Sequence, residues 1–308
     1  MTDSTIWNQD CVAGMAEHLA ADSIDLVVSS IPFGALFSYS GKTEDVGNNP
    51  DGIDMRGSMF GLHLRFVIEQ LLRVMKPGTN ACIHIQQLLT TKVQHGVMGR
   101  RDFRGAVVDL FGAGGFEWKG EVVIAKDPQA IARRQQLHSL LFITARKQAR
   151  DLAPCVNDYV MIFQKPGDSA PVRALYDPER NPQGWLTRQD WIRDACGVWS
   201  DIEETDVLDG WRSARDEKDE RHVCPLQLEV IRRCIRLYTN PGETVLDPFS
   251  GIGSTGYVAI EQGRHYVGFE LKESYHRQSL ANIALIQQQL SQPDLPMLAA
   301  IEAAEASA

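Results

Sequence analysis

The run Thr244-Val245-Leu246-Asp247-Pro248-Phe249-Ser250-Gly251-Ile252-Gly253-Ser254-Thr255 constrains the fold more than any other stretch of this chain. A strand-length apolar segment enters a turn with two glycines, and a helical pattern then continues through Tyr257, Val258 and Ile260. Glycines there let backbone N–H groups approach a ligand at the carboxyl edge of a strand, where open α/β sheets bind their ligands. A second strand, Tyr266-Val267-Gly268-Phe269, ends in Glu270 about twenty residues later, the place of an acidic group that accepts from ribose hydroxyls.

The rest of the chain repeats the alternation. β-type runs are expected at Ser4 to Asn8, Ile24 to Ser29, Asn80 to Gln86, Trp118 to Ala125, Tyr159 to Gln164, Glu243 to Leu246 and His265 to Glu270. Amphipathic helices fall between several of them. Leu62 to Met75 stops at Lys76-Pro77-Gly78, a helix terminator followed by a strand, and Asp102 to Phe111 ends in the Gly112 to Gly115 cluster. Continuous apolar strands such as Leu26-Val27-Val28 suit a sheet covered on both faces, so the class is a doubly wound α/β fold. Gly34 to Gly61 is too long for an ordinary βα connection and reads as a mobile lid. Pro166 to Val223 has weak periodicity and reads as a wrapping segment, with Trp185, Trp191, Trp199 and Trp211 as packing anchors.

A strand, a glycine turn and a distal acid suit either a nicotinamide dinucleotide or S-adenosylmethionine. The dinucleotide fingerprint places Gly-x-Gly-x-x-Gly directly after the strand. Here Asp-Pro-Phe comes first, and Asp247 would repel a pyrophosphate but suits a positively charged methionyl group.

DPFSGIGST followed by YVGFEL resembles the motif pair of the S-adenosylmethionine-dependent DNA amino-methyltransferases. The second hallmark of that family, Asp/Asn/Ser-Pro-Pro-Tyr/Phe at a strand end, is similar to Ser30-Ile31-Pro32-Phe33. This element precedes the cofactor loop, so the motif order is circularly permuted, as in the family's beta group. Trp7-Asn8-Gln9-Asp10-Cys11 looks like the strand end whose Asp contacts the cofactor adenine, and Leu71 to Gly78 resembles the helix and turn after the catalytic loop. His222-Val223-Cys224-Pro225-Leu226-Gln227-Leu228 looks like the entry to the helix that packs on bound cofactor.

The resemblance implies a Rossmann-like methyltransferase sheet with recognition insertions. It divides the chain into 1–33 (first part of the core), 34–61 (lid), 62–165 (core, with a basic insertion at 128–150), 166–221 (wrapping and recognition), 222–290 (cofactor-binding part) and 291–308 (tail). It implies cofactor contacts from Asp10, Pro225, Leu226, Asp247, Pro248, Phe249, Gly251, Gly253, Ser254, Thr255 and Glu270. The expected catalytic set is Ser30, Ile31, Pro32 and Phe33. Ser30 Oγ and the Ile31 carbonyl hold the two N–H groups of a target amine, and Phe33 stacks on a base flipped out of duplex DNA. Family members with Ser at the position of Ser30 look mostly like cytosine N4 enzymes and those with Asp like adenine N6 enzymes. The leaning is therefore to N4 of cytosine, with N6-adenine methylation as the alternative. Ile31, standing where the family has its first Pro, keeps a third reading open: a catalytically weak DNA-binding relative. His84 reads as a hydrogen-bonded polar residue and not as a base.

The formal charge of -9 opposes sequence-independent attraction to a polyanion, so a double-stranded DNA partner requires local basic patches. Lys92 to Arg104, with Arg100 and Arg101, and Pro128 to Arg150, with Arg133, Arg134, Arg146 and Lys147, are the candidates. A phosphate contact and a cap on a surface helix are equal readings for Arg100 and Arg101. The six cysteines show no Cys-x-x-Cys spacing, so no metal is expected. No membrane span or export signal is visible, and a cytoplasmic protein is expected. A solitary or restriction-linked methyltransferase and, through the beta group, a homodimer are further implications of the resemblance.

Overall fold

The computed structural model describes residues 2–32, 58–90, 96, 99–134, 141–151, 154–210 and 225–292. Expectations for Phe33, most of the 34–61 lid, Trp211, residues 222–224, the side chains of Arg133 and Arg134, and the tail beyond 292 fall outside the described residues.

The elements run β1 (Ser4–Trp7), α1 (Cys11–His18), β2 (Ile24–Ser30), α2 (Met59–Val74), β3 (Met75–Gln86), β4 (Leu88–Thr90), β5 (Gly99–Arg101), α3 (Phe103–Ala113), β6 (Glu117–Ile124), α4 (Pro128–Arg134), α5 (Phe142–Lys147), β7 (Asp158–Gln164), α6 (Arg188–Asp194), β8 (Val198–Trp199), α7 (Leu228–Tyr238), β9 (Thr244–Asp247), α8 (Ser254–Glu261), β10 (His265–Phe269) and α9 (Glu273–Ser291). Among the described residues the main sheet has the order β1-β10-β9-β2-β3-β7-β6-β8. From β1 to β3 the strands are parallel; β7 runs antiparallel between β3 and β6, and β8 joins β6 in parallel.

Side-chain alternation builds two cores. Val27, Ala81, Ile83 and Met161 face one side, where α1, α2 and α3 bring Met15, Leu64, Ile68, Leu71, Val107 and Phe111. Leu26, Val28, Cys82 and Val160 face the other, against Ile231, Ile235, Val258, Ile260, Ile283 and Ile286 of α7, α8 and α9. Each of the larger of these side chains, the Val, Leu, Ile, Met and Phe, contributes roughly 1.5–3 kcal/mol on leaving water. The doubly wound arrangement follows from strands that are apolar on both faces.

In α2 the Ser58 side chain accepts from the Gly61 N–H as N-cap, and buried Phe60, Leu64, Val67, Ile68, Leu71 and Val74 recur at helical spacing. α2 ends at Val74, just ahead of Lys76-Pro77-Gly78 as expected, but β3 begins at Met75 instead of Asn80 and carries the triplet inside it. The pairing register with β2 shifts between Ile24/Met75 and Leu26/Asn80, which absorbs a proline that cannot donate to the ladder.

The wrapping segment adds α6 and β8 and is pinned by buried charge. Asp194, fully buried, accepts from Arg236 and lies 3.4 Å from Arg233 Nε, while Arg233 also reaches Asp201 and Glu229. Such a network holds only while every member is paired. Trp199 is buried with its indole N–H donating to the Asp194 carbonyl, and Trp185 donates to the Arg236 carbonyl. Both act as the expected anchors; Trp191 is 47 % exposed and does not. Among the described residues no helix is long and apolar enough to cross a membrane.

Candidate active site

The connection after β9 passes through α8 to β10 on one side, and the connection after β2 passes through α2 to β3 on the other. β2 and β9 are neighbours, so the crevice at their carboxyl ends is a topological switch point. Both conspicuous loops of the sequence open there.

Asp247 is the last residue of β9 and is 4 % exposed. Its Oδ1 accepts from Ser29 Oγ at 2.6 Å and from the Phe249 N–H at 3.0 Å, and its Oδ2 accepts from Thr255 Oγ1 at 2.7 Å. Burial pushes its carboxyl up to about 6, against the opposing effect of these three donors. The carboxylate thus ties the end of β2, the turn and the first turn of α8 to one another. Beyond it, Ser250 Oγ pairs with the Tyr266 hydroxyl at 2.8 Å. Glu270 accepts from the Gly251 N–H at 2.8 Å and the Lys272 N–H at 2.7 Å, bridging the loop to the end of β10. Pro248 and Phe249 lie in the turn between, Phe249 partly buried against the α1–α3 core.

Gly251 and Gly253 both have positive φ, +54° and +87°. Open space surrounds the point where a Cβ on Gly251 would stand, whereas one on Gly253 would lie 3.0 Å from Ser279 Cβ of α9. Gly253→Ala is therefore expected to destabilise the protein by about 2 kcal/mol, combining a left-handed backbone with crowding. A melting temperature lowered by several degrees checks it; an unchanged one would show that the loop relaxes freely.

Alternation along β2 sends Ser29 and Ser30 to opposite faces. Ser29 serves Asp247, while Ser30 Oγ lies 2.9 Å from His84 Nδ1. Ile31 is 3 % exposed within the α1–α3 core, so side-chain packing anchors the carbonyl that a proline ring would otherwise steady. Pro32 follows at intermediate exposure. His84 is thus drawn into the site, which the sequence reading missed. Its signal was only a polar residue late in an apolar strand, and the register Ser30↔His84 supplies the rest.

Asp10 stands just past β1 and caps α1, its Oδ1 accepting from the Ala13 N–H at 2.9 Å. Pro225 and Leu226 lead into α7, and the Leu228 and Glu229 N–H groups donate to Asp206. Arg100 and Arg101 lie on the β4–β5 hairpin that leaves the carboxyl end of β3, with Arg100 donating to the Pro154 carbonyl. Arg146 and Lys147 are exposed in the last turn of α5, beyond the carboxyl end of β6, together with exposed Phe142 and Ile143. β3 and β6 point the same way, so both basic insertions issue from the sheet edge that carries Ser30 and Asp247. Among the described residues no cluster of His, Cys, Asp or Glu could hold a metal ion.

A DNA methylase family model, that of the N6/N4 enzymes, matches residues 24–281. DNA adenine methyltransferase YhdJ of Escherichia coli K12 is 24% identical over 283 residues, covering 91% of this chain and 82% of that protein. YubD of the same organism, a methylase by name, is 40% identical over 89 residues, 28% of this chain and 37% of its own length. Two solved structures share the fold. TTHA0409 of Thermus thermophilus, described as a DNA modification methylase and complexed with S-adenosyl-L-methionine, aligns with a TM-score of 0.64 at 18% identity, over 92% of this chain and 95% of that one. The cytosine-N4-specific PvuII DNA methyltransferase aligns with a TM-score of 0.59 at 16% identity, over 94% and 91%.

Proposed function

The chain belongs to the family of N6/N4 DNA methylases, and from that membership we propose that it transfers a methyl group from S-adenosylmethionine to the exocyclic amine of a DNA base, N4 of cytosine. The observation that carries this reading is the placing of Ser30 at the carboxyl end of β2, one residue after the serine that holds the buried Asp247 of the glycine loop.

The residues at this edge fit the cofactor. Gly251 presents its backbone to open space, and Asp10, Asp247 and Glu270 stand at the ends of three adjacent strands. Asp247 supplies a negative field for a sulfonium, Glu270 an acceptor for ribose hydroxyls, Asp10 a neighbour for adenine, and Pro225 and Leu226 a wall. When bound, S-adenosylmethionine supplies an electrophilic methyl group on a positively charged sulfur. The protein's own task is to position the amine. Ser30 Oγ and the Ile31 carbonyl accept its two N–H groups, drawing the nitrogen lone pair out of conjugation with the ring. A flipped base would stack on Phe33, as the resemblance implies. The basic residues of the two insertions, with the 34–61 and 166–221 segments, take the phosphates and the recognition sequence.

Incubating the protein with methyl-labelled S-adenosylmethionine and DNA of varied sequence, then digesting to nucleosides, is expected to place label in N4-methylcytosine. Label in N6-methyladenine would establish the second reading, which the likeness to YhdJ favours. No label in any nucleoside would overturn both and leave the DNA-binding relative. A homodimer completes the reading; light scattering at twice the chain mass is the expected result.

A further inference from the structure

A row of polar side chains crosses one edge of the sheet on a single face, at the carboxyl ends of β2, β3 and β6 and the amino end of the antiparallel β7. It comprises Ser30 on β2, His84 on β3, Asp158 on β7 and Lys126 just past β6. Their same-face neighbours, Val28, Cys82, Val160 and Ile124, belong to the core under α7–α9. Register pairs Ser30 with His84 and sets Asp158 opposite both Gln86 and Ile124. Ser30 Oγ is 2.9 Å from His84 Nδ1, and His84 Nε2 is 3.4 Å from Asp158 Oδ2, within electrostatic reach of that carboxylate. Lys126 Nζ is 2.8 Å from the same Asp158 oxygen, and Gln86 Nε2 donates to the other at 2.8 Å. The Lys126 and Asp158 side chains are only 2% and 10% exposed. An ion pair so deeply placed gains little net stability over an apolar pair of the same volume, and here it lies directly behind the group that would touch substrate.

Resting on the methyl-transfer reading of Ser30, we propose that His84 is a positioning residue. The Asp158–Lys126 pair holds it in the tautomer that accepts the Ser30 hydroxyl proton, so that the Ser30 oxygen turns its lone pairs toward the target amine. A neutral imidazole has one donor and one acceptor nitrogen. An ionised carboxylate can only accept, so the ring proton belongs on Nε2, facing Asp158. Nδ1 then carries a lone pair facing Ser30, and the Ser30 O–H donates to it. The reverse tautomer would set a lone pair against the carboxylate and aim an N–H at the serine oxygen, occupying a site the amine needs. Burial acts to raise the Asp158 carboxyl, but its contacts with His84 and Lys126 together outweigh it and hold the group below its ordinary value. Lys126 balances the Asp158 charge, so the pair orients the ring without leaving a net charge beneath the pocket. Hydrogen bonds in such a chain polarise one another, which strengthens a neutral serine as an acceptor where other family members carry a carboxylate.

Two measurements on the full-length protein test this. In the imidazole ¹⁵N spectrum, with the His84 signals assigned by their loss in His84→Asn, the wild type is expected to show a protonated Nε2 and a bare Nδ1. Asp158→Asn is expected to disturb that tautomer. In methyl transfer, Asp158→Asn is expected to lower kcat by about tenfold or more, with KM for DNA and Kd for S-adenosylmethionine within about threefold. Made in a Ser30→Ala background, the same change is expected to have little further effect, because its action passes through Ser30. A protonated Nδ1 in the wild type, or an equal kcat loss in both backgrounds, would overturn the assignment. A wild type that labels no DNA would overturn the methyl-transfer reading alone, with the spectrum still deciding the tautomer.

Discussion

Asp247→Asn is expected to weaken S-adenosylmethionine binding by about a hundredfold while leaving the fold as stable as, or more stable than, the wild type above pH 7. A unit charge about 5 Å from a sulfonium, at an effective dielectric of about 20, contributes about 3 kcal/mol, or about two orders of magnitude in affinity. The stability half follows from burial. The folded-state carboxyl stands at about 6 against an ordinary 3.8, so between those values the folded protein holds a proton that the unfolded chain has released. Stability therefore falls as pH rises through that window, by about 3 kcal/mol in all at about 1.4 kcal/mol per pH unit. Asparagine removes this term. Its oxygen still accepts from Ser29 and the Phe249 N–H, and the Thr255 hydroxyl can turn to accept from its amide. Calorimetric titration with the cofactor and melting curves from pH 4.5 to 8 check the two halves. Undiminished affinity would remove Asp247 from the cofactor site, and an unchanged pH slope would remove it from the stability argument.

Ser30→Ala is expected to lower kcat for DNA methylation by about 10²–10³, the usual cost of losing one preorganised hydrogen-bonding group at a reacting centre. Cofactor affinity should stay within about twofold, because Ser29 and not Ser30 bonds to Asp247. Ser29→Ala supplies the contrast: it leaves one Asp247 donor missing in a buried site and should weaken cofactor binding and lower the melting temperature. Full activity in Ser30→Ala would dismiss the catalytic assignment. Equal behaviour of the two variants would mean that the strand end acts as a single structural unit.

These two neighbouring serines mark the limit of what is legible in the amino-acid order. The loops at 24–33 and 244–255 could be read directly, since a strand end, a glycine turn and a helix start are local demands of the backbone. The pairing partners of those loops are not local. Ser29 meets Asp247 across 218 positions, and His84, Asp158 and Lys126 come from three separate parts of the chain, so their grouping emerges only once register is known. Ile31 illustrates the same point from the other side. In the sequence it is a missing proline; in the fold it is a buried anchor in the core. Asp10, read as a cofactor contact, also caps α1, a role that its position before Cys11 and Val12 could have signalled. Lys76-Pro77-Gly78 marks the end of α2 correctly, but it hides the start of β3, which takes the triplet in through an irregular pairing with β2.

β1 sits at the edge of the sheet, and its sole strand neighbour among the described residues is β10, more than 260 positions later in the chain. At about 5–20 residues per second, a ribosome takes roughly ten to fifty seconds to pass from one to the other. Throughout that interval β1 has no ladder to join, and Ile6, a member of the core under α7, α8 and α9, has no core to enter. The half of the sheet nearest the amino terminus is thus the last to close, and it closes at the glycine loop. Newly made chains complete the crevice between β2 and β9 only after the glycine loop has been made, and β1 needs protection from aggregation until β10 follows.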